Sequence, residues 1–413
     1  MITVWYSTQI LADYIIDNTI LCNYSAQLER KKLMESDANN SNNFHKMPDH
    51  IKKILYLDAP DLIVELNSEP IFTIEISREA GTGHNAFQRF LRLLASVENS
   101  VPALYIYPEG VQVGRKNKHG TYKYKWDELN PLIFKALEKM MRIHDEPALL
   151  FYYPSLIGDD SIVHPNKGLL DDVNYPSCPL GTDPEMIKMF NIINVIVQEN
   201  INGNINSGRT KLINKRLISD KRDWMTNEYI NKNPGNNEHS PVTATKIVKT
   251  AKILEYLSLY GYDKNEVSIL SEREETVIYS MDAAFRGDPY PGALGAIDYL
   301  LCRQGKTFED RDKNLVMCWG KLEEQGTTIK VISSKASVNN FVDKIKTVYN
   351  NAKRPYKCLL GKDYSEIKNE NSVSRYYMQV RYGCTYTKIK EVRGFSYFAD
   401  AILFPDGAFW REA

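Results

Sequence analysis

Two carboxylates stand near the outer ends of two apolar runs. Asp61 opens Asp61-Leu62-Ile63-Val64-Glu65-Leu66, and Glu75 falls late in Ile71-Phe72-Thr73-Ile74-Glu75-Ile76-Ser77. Carboxylates that meet across neighbouring strands can share one hard cation, which in turn can stabilise negative charge and activate a water. Between the runs, Asn67-Ser68-Glu69-Pro70 supplies turn residues, so the spacing predicts an antiparallel hairpin. With the turn centred between Ser68 and Glu69, Asp61 falls opposite Ile76 and has Glu75 as its near neighbour. Residues paired across strands lie about 4.5–5.5 Å apart, close enough to share an ion to which Ile76 can add its carbonyl. Alternation places Thr73, Glu75 and Ser77 on a polar face and Phe72, Ile74 and Ile76 on an apolar one. Glu65 is a weaker third ligand and is read mainly as a surface residue.

The elements that must hold this hairpin are legible as periodic runs. Residues 1–33 read as mostly helical from Ile10, Leu11, Tyr14, Ile15 and Ile20. After the hairpin comes Gly81-Thr82-Gly83, a loop leading to a helix rather than a nucleotide site, since it lacks the lysine of a P-loop. Ala86, Phe87, Phe90, Leu91, Leu94 and Val97 then mark a helix ending near Asn99. Strands are predicted over 101–107 and 148–153, and helices over 129–143 and 187–199. Residues 375–410 read as a meander of strands with a turn at Pro405-Asp406-Gly407. The order of helix, hairpin, helix, strand, helix, strand implies a mixed sheet with helices against it.

Composition bounds the class of protein without naming its partner. The chain has 413 residues, 43% hydrophobic and 25% charged, which fits a folded globular protein of two domains or of one core with a large elaboration. Lys plus Arg and Asp plus Glu are both 52, so overall charge neither favours nor excludes a polyanion. Six cysteines without a C-x-x-C pair fit reduced thiols, and cytoplasmic residence is the default expectation. No signal-peptide pattern and no membrane-length apolar run is present. Basic residues gather at Arg209, Lys211, Lys215, Arg216, Lys221 and Arg222, with Lys246, Lys249 and Lys252 beyond them, so this segment is the candidate polyanion contact. A second basic run, Arg303 to Lys313, follows the Gly/Pro-rich loop 285–292.

Pro60-Asp61, a strand, a turn and Glu75-Ile76-Ser77 on the next strand resemble the PD-(D/E)XK nuclease superfamily, the fold group of many type II restriction endonucleases. The following helix with Gln88 and Arg89, and the strand over 103–107, look like the same core. The resemblance covers residues 50–108 and implies an α/β fold: a restriction-endonuclease-like mixed sheet flanked by helices, in a nuclease-like core over 1–158. A larger α+β C-terminal elaboration over 159–413 would serve recognition. It further implies Mg2+-dependent, sequence-specific hydrolysis of phosphodiester bonds in double-stranded DNA, by a homodimer.

In the family the two acids bind the metal, implying Asp61 and Glu75 here. The third position, usually a lysine that orients or deprotonates the attacking water, is Ser77. Arg78, Lys52 or Lys53 would have to compensate for the missing charge, while Gln88 and Arg89 would face the active site or the DNA backbone. Ser77 also motivates a different reading, a non-catalytic DNA-binding protein on a decayed nuclease core. An interaction or scaffold protein without a nucleic-acid role is the alternative from another class.

Overall fold

Ile2-Thr3-Val4-Trp5-Tyr6 is β-branched and aromatic, the composition of a strand, and it forms one. The computed structural model describes residues 1–33, 47–55, 59–78, 83–108, 110–116, 119–128, 132–154, 168–204, 243–262, 269–282, 312–343 and 399–410. These residues divide into two compact units: the described residues up to 204 make the first, except that residues 86–91 group with the second, which otherwise comprises the described residues from 243 to 410.

The first unit contains strands β1 (Ile2–Tyr6), β2 (Leu28–Lys32), β3 (Leu62–Leu66), β4 (Glu69–Ile76), β5 (Ala103–Pro108), β6 (Gly110–Lys116), β7 (Tyr122–Glu128) and β8 (Ala148–Tyr153). Its helices are α1 (Gln9–Asp17), α2 (Asp49–Leu55), α3 (Gly83–Glu98), α4 (Leu132–His144) and α5 (Pro184–Ile201), with a 3-10 helix over Ile20–Gln27. The expected helical character of 1–33 is met over Gln9–Asp17 and, as a 3-10 helix, over Ile20–Gln27, whereas β1 and β2 at either end are strands that the period did not show.

Six strands form one mixed sheet in the order β2-β1-β3-β4-β5-β8. β3 is antiparallel to both β1 and β4, whereas β4, β5 and β8 run parallel to one another. A parallel neighbour needs a crossover, and α3 supplies it between β4 and β5. The fold is therefore α/β, a mixed sheet flanked by helices. β6 and β7 pair as a separate antiparallel ribbon. α5 packs on β8 and β4, so this unit includes Pro184–Ile201, beyond residue 158.

The second unit has a five-stranded sheet, β15-β14-β11-β10-β9, from β9 (Thr243–Lys249), β10 (Glu275–Met281), β11 (Asn314–Trp319), β14 (Ala401–Phe404) and β15 (Gly407–Trp410). β12 (Lys321–Gln325) and β13 (Thr328–Ile332) form a hairpin. Helix α6 (Thr250–Ser258) contributes Ile253 and Leu257 to a core with Ile278, Val316, Cys318 and Leu403. The β14–β15 hairpin turns at Pro405-Asp406 as expected, and residues 375–398 of the expected meander lie outside the described residues. No helix among the described residues is long and apolar enough to cross a membrane. Cys22, Cys178 and Cys318 are free thiols. Burial pushes the Cys178 thiol up to about 12, so it stays protonated.

Candidate functional site

Asp61 and Glu75 are brought together, by a register different from the one expected. Asn67 and Ser68 take positive φ values of 52° and 65°, so they are the two central residues of a tight turn that pairs Leu66 with Glu69. A bulge between Val64 and Glu65 then shifts the ladder by one, and Leu62 pairs with Ile74. Continued one step outward, this register sets Asp61 against Glu75 rather than Ile76. The Ile76 amide donates to Asp61 Oδ2 at 3.0 Å and Ser7 Oγ donates to Asp61 Oδ1 at 3.2 Å, so the carboxylate is fixed from two sides. What Ile76 presents to Asp61 is its N–H.

The polar face of β4 is an interior layer under α3. Thr73, Glu75 and Ser77 are each 0–1% exposed. The hydroxyls of Thr73 and Ser96 lie 2.8 Å apart, and one helical turn earlier Arg92 Nη1 donates to Glu75 Oε1 at 2.7 Å. Four residues along a helix advance about 6 Å, nearly the advance of two strand residues, so α3 lays Ser96 and Arg92 over Thr73 and Glu75 in step. The same Arg92 Nη1 stands 3.9 Å from Asp61 Oδ1, and the two carboxylates thus flank one cationic nitrogen. Side-chain exposure falls from 22% at Asp61 through 10% at Arg92 to none at Glu75, so the group opens to solvent on the Asp61 side.

Arg92 is the residue that sequence reasoning missed. It stands in sequence beside the buried Leu93 and Leu94 and is itself only 8% exposed, and a buried charge needs a buried partner. The cations proposed to replace the missing lysine are engaged elsewhere. Arg78 Nη2 donates to both oxygens of Asp171 at 2.8 and 3.0 Å, and its Nη1 donates to Ser177 Oγ at 2.9 Å. Tyr153 also donates to Asp171, and burial followed by that hydrogen bond raises its phenol pKa. Lys52 pairs with Asp49 at 3.0 Å, and Lys53 lies 4.0 Å from Glu69, at the turn end of the hairpin. Ser77 continues the parallel ladder, its amide donating to Ile106 O at 2.8 Å.

Glu65 is not a surface residue. It is 4% exposed and its Oε2 lies 2.7 Å from His50 Nε2. Four residues of extended chain, roughly 13 Å, separate it from Asp61, too far to share an ion. Among the described residues no group of three or more His, Cys, Asp or Glu is arranged to hold a metal. Arg89 is half-buried on α3; Gln88 lies on the same helix with its side chain outside the described residues. Arg209, Lys211, Lys215, Arg216, Lys221 and Arg222 all lie outside the described residues, as does the 285–292 loop. Of the basic residues beyond them, Lys246 and Lys252 both pair with Glu324, and Lys313 pairs with Glu275 at 3.1 Å.

No protein-family model, no curated protein and no solved structure matches this chain.

Proposed function

We propose that the first unit is a divalent-metal-dependent phosphodiester hydrolase acting on double-stranded DNA, with Asp61 and Glu75 as the metal-holding pair. The observation that carries this reading is the placement of both carboxylates around a single cationic nitrogen at the strand ends, a position from which the pair can share a cation. The donor chemistry fits: hard carboxylate oxygens are what Mg2+ takes, usually through one or two carboxylates with water filling the rest. When bound, Mg2+ would supply charge neutralisation and an activated water. In this reading the Ile76 amide and Ser7 hydroxyl orient Asp61, and Ser77 stands at the water-orienting position with no charge to offer. A strand–helix–strand succession through α3 to the parallel β5 agrees with the nuclease-like core that the sequence resembles.

Digestion of a mixed-sequence DNA with Mg2+ or Mn2+, read by end mapping, tests the assignment. Asp61→Asn is expected to abolish metal-dependent cleavage while DNA binding survives; full activity in that variant would sink the assignment. The tight Arg92–Glu75 pair, together with Ser77, favours a second reading, a DNA-binding protein on a nuclease core that no longer cuts. A protein that shifts DNA in a salt-dependent manner, yet never nicks it with either metal, supports that second reading. Recognition by the basic segment 209–222, sequence specificity and a homodimeric state belong to the same proposal.

A further inference from the structure

We propose that Arg92 is a displaceable counter-ion, a built-in competitor that holds Glu75 and Asp61 together until a divalent cation takes its place. The inference rests on the metal-pair reading above. Its first ground is asymmetry. Arg92 grips the fully buried Glu75 at 2.7 Å but stands off Asp61 at 3.9 Å, so the contact on the solvent side is the weaker one. An incoming cation therefore meets Asp61 first, where the carboxylate is partly exposed and Arg92 holds it loosely.

The second ground is position. Arg92 Nη1 lies between the two carboxylates, 2.7 Å from Glu75 Oε1 and 3.9 Å from Asp61 Oδ1, where a cation shared by both acids has to sit. A metal held by the pair therefore takes the place of the guanidinium and not a place beside it. The third ground is support: Asp61 is held by the Ile76 amide and Ser7, so it keeps its orientation when Arg92 leaves. Arg92 itself has a long flexible stem and 10% of its side chain exposed, which gives the guanidinium a way out.

Isothermal titration of Mn2+ into the full chain, without DNA, tests the exchange. Arg92→Gln and Arg92→Met are expected to bind Mn2+ about tenfold or more tightly than wild type, because no guanidinium has to be expelled. Adding Asp61→Asn to Arg92→Gln is expected to erase the gain. Binding no tighter in folded Arg92 variants overturns the proposal. Should those variants fail to fold, wild-type protein labelled with 15N at arginine decides it. The Arg92 Nε–H resonance must move saturably on titration with Mg2+, and a resonance that stays fixed up to saturating Mg2+ overturns the proposal.

The two readings fail separately. Metal-dependent cleavage that Asp61→Asn abolishes, combined with unchanged Mn2+ affinity in Arg92→Gln, defeats the exchange alone. Tighter metal binding in Arg92→Gln by a protein that never cuts DNA defeats the nuclease alone.

Discussion

Glu75 has no exposure to solvent, and a carboxylate in that position keeps its charge only beside a cation. Arg92 supplies such a cation at 2.7 Å, and its removal leaves the buried charge less compensated. Arg92→Ala is expected to lower stability by about 3–5 kcal/mol, the usual result of removing one partner from a buried pair. Arg92→Ala combined with Glu75→Gln should recover part of the loss, since the buried charge is gone. Urea denaturation of both variants against wild type reads the difference, and equal stability of single and double variants would show that Arg92 is not what sustains the Glu75 charge. At this scale the sequence revealed the acids and concealed the base. Asp61 and Glu75 were legible because strand and turn residues surround them. Arg92 was concealed because helical periodicity marks which positions are apolar but not which strand residue a buried charge will meet. Glu65 looks like a surface residue in sequence for a related reason: its partner His50 comes from a helix before the hairpin, and local alternation carries no information about it.

Among the elements, the β3–β4 hairpin sets the register on which the site depends, and its turn is built from residues that fit it imperfectly. Asn67 tolerates the left-handed region, whereas Ser68, at φ 65°, bears a Cβ that this conformation disfavours. Ser68→Gly is expected to stabilise the first unit by about 0.5–1 kcal/mol, read as a rise in denaturation midpoint without a change in slope. The runs at 103–108 and 148–153 and the helices after the hairpin were legible from period and length, since each is long enough to show its repeat. Pro70 reads as turn chemistry and draws the expected turn one residue late, although it is paired with Glu65 inside the ladder. The bulge at Val64/Glu65 has no sequence mark, so the one-residue correction that sets Asp61 against Glu75 could come only from the structure.

In the second unit, β9, α6 and β12 meet at Glu324, held between Lys246 and Lys252. Hydrogen bonds from these lysines bring the Glu324 pKa down to about 2. A carboxylate depressed on folding contributes stability that is complete above its unfolded value of about 4.5 and is lost as pH falls toward 2. Because the group is at the surface, salt screens it, and a carboxyl NMR titration should show its midpoint rise toward the unfolded value as salt is added.

On the scale of the whole molecule, each unit owns a sheet and an apolar core, and the two candidate features divide between them: Asp61, Glu75 and Arg92 sit in the first, the Glu324 clamp in the second. Two cores within 413 residues argue against all-or-none unfolding. Scanning calorimetry is expected to resolve two transitions whose identities the variants assign, with Ser68→Gly raising one midpoint and Glu324→Gln lowering the other. A cation that binds the Asp61–Glu75 pair in the folded state alone must stabilise only the unit that contains it. At about one hundred times its dissociation constant, Mn2+ adds about 2.7 kcal/mol, which corresponds to about 5–10 °C for a unit of this size. The Ser68-sensitive transition should therefore move with Mn2+ and the Glu324-sensitive one should stay, while Asp61→Asn cancels the shift. If both transitions moved together, or Asp61→Asn left the shift intact, the cation would be binding somewhere other than the hairpin.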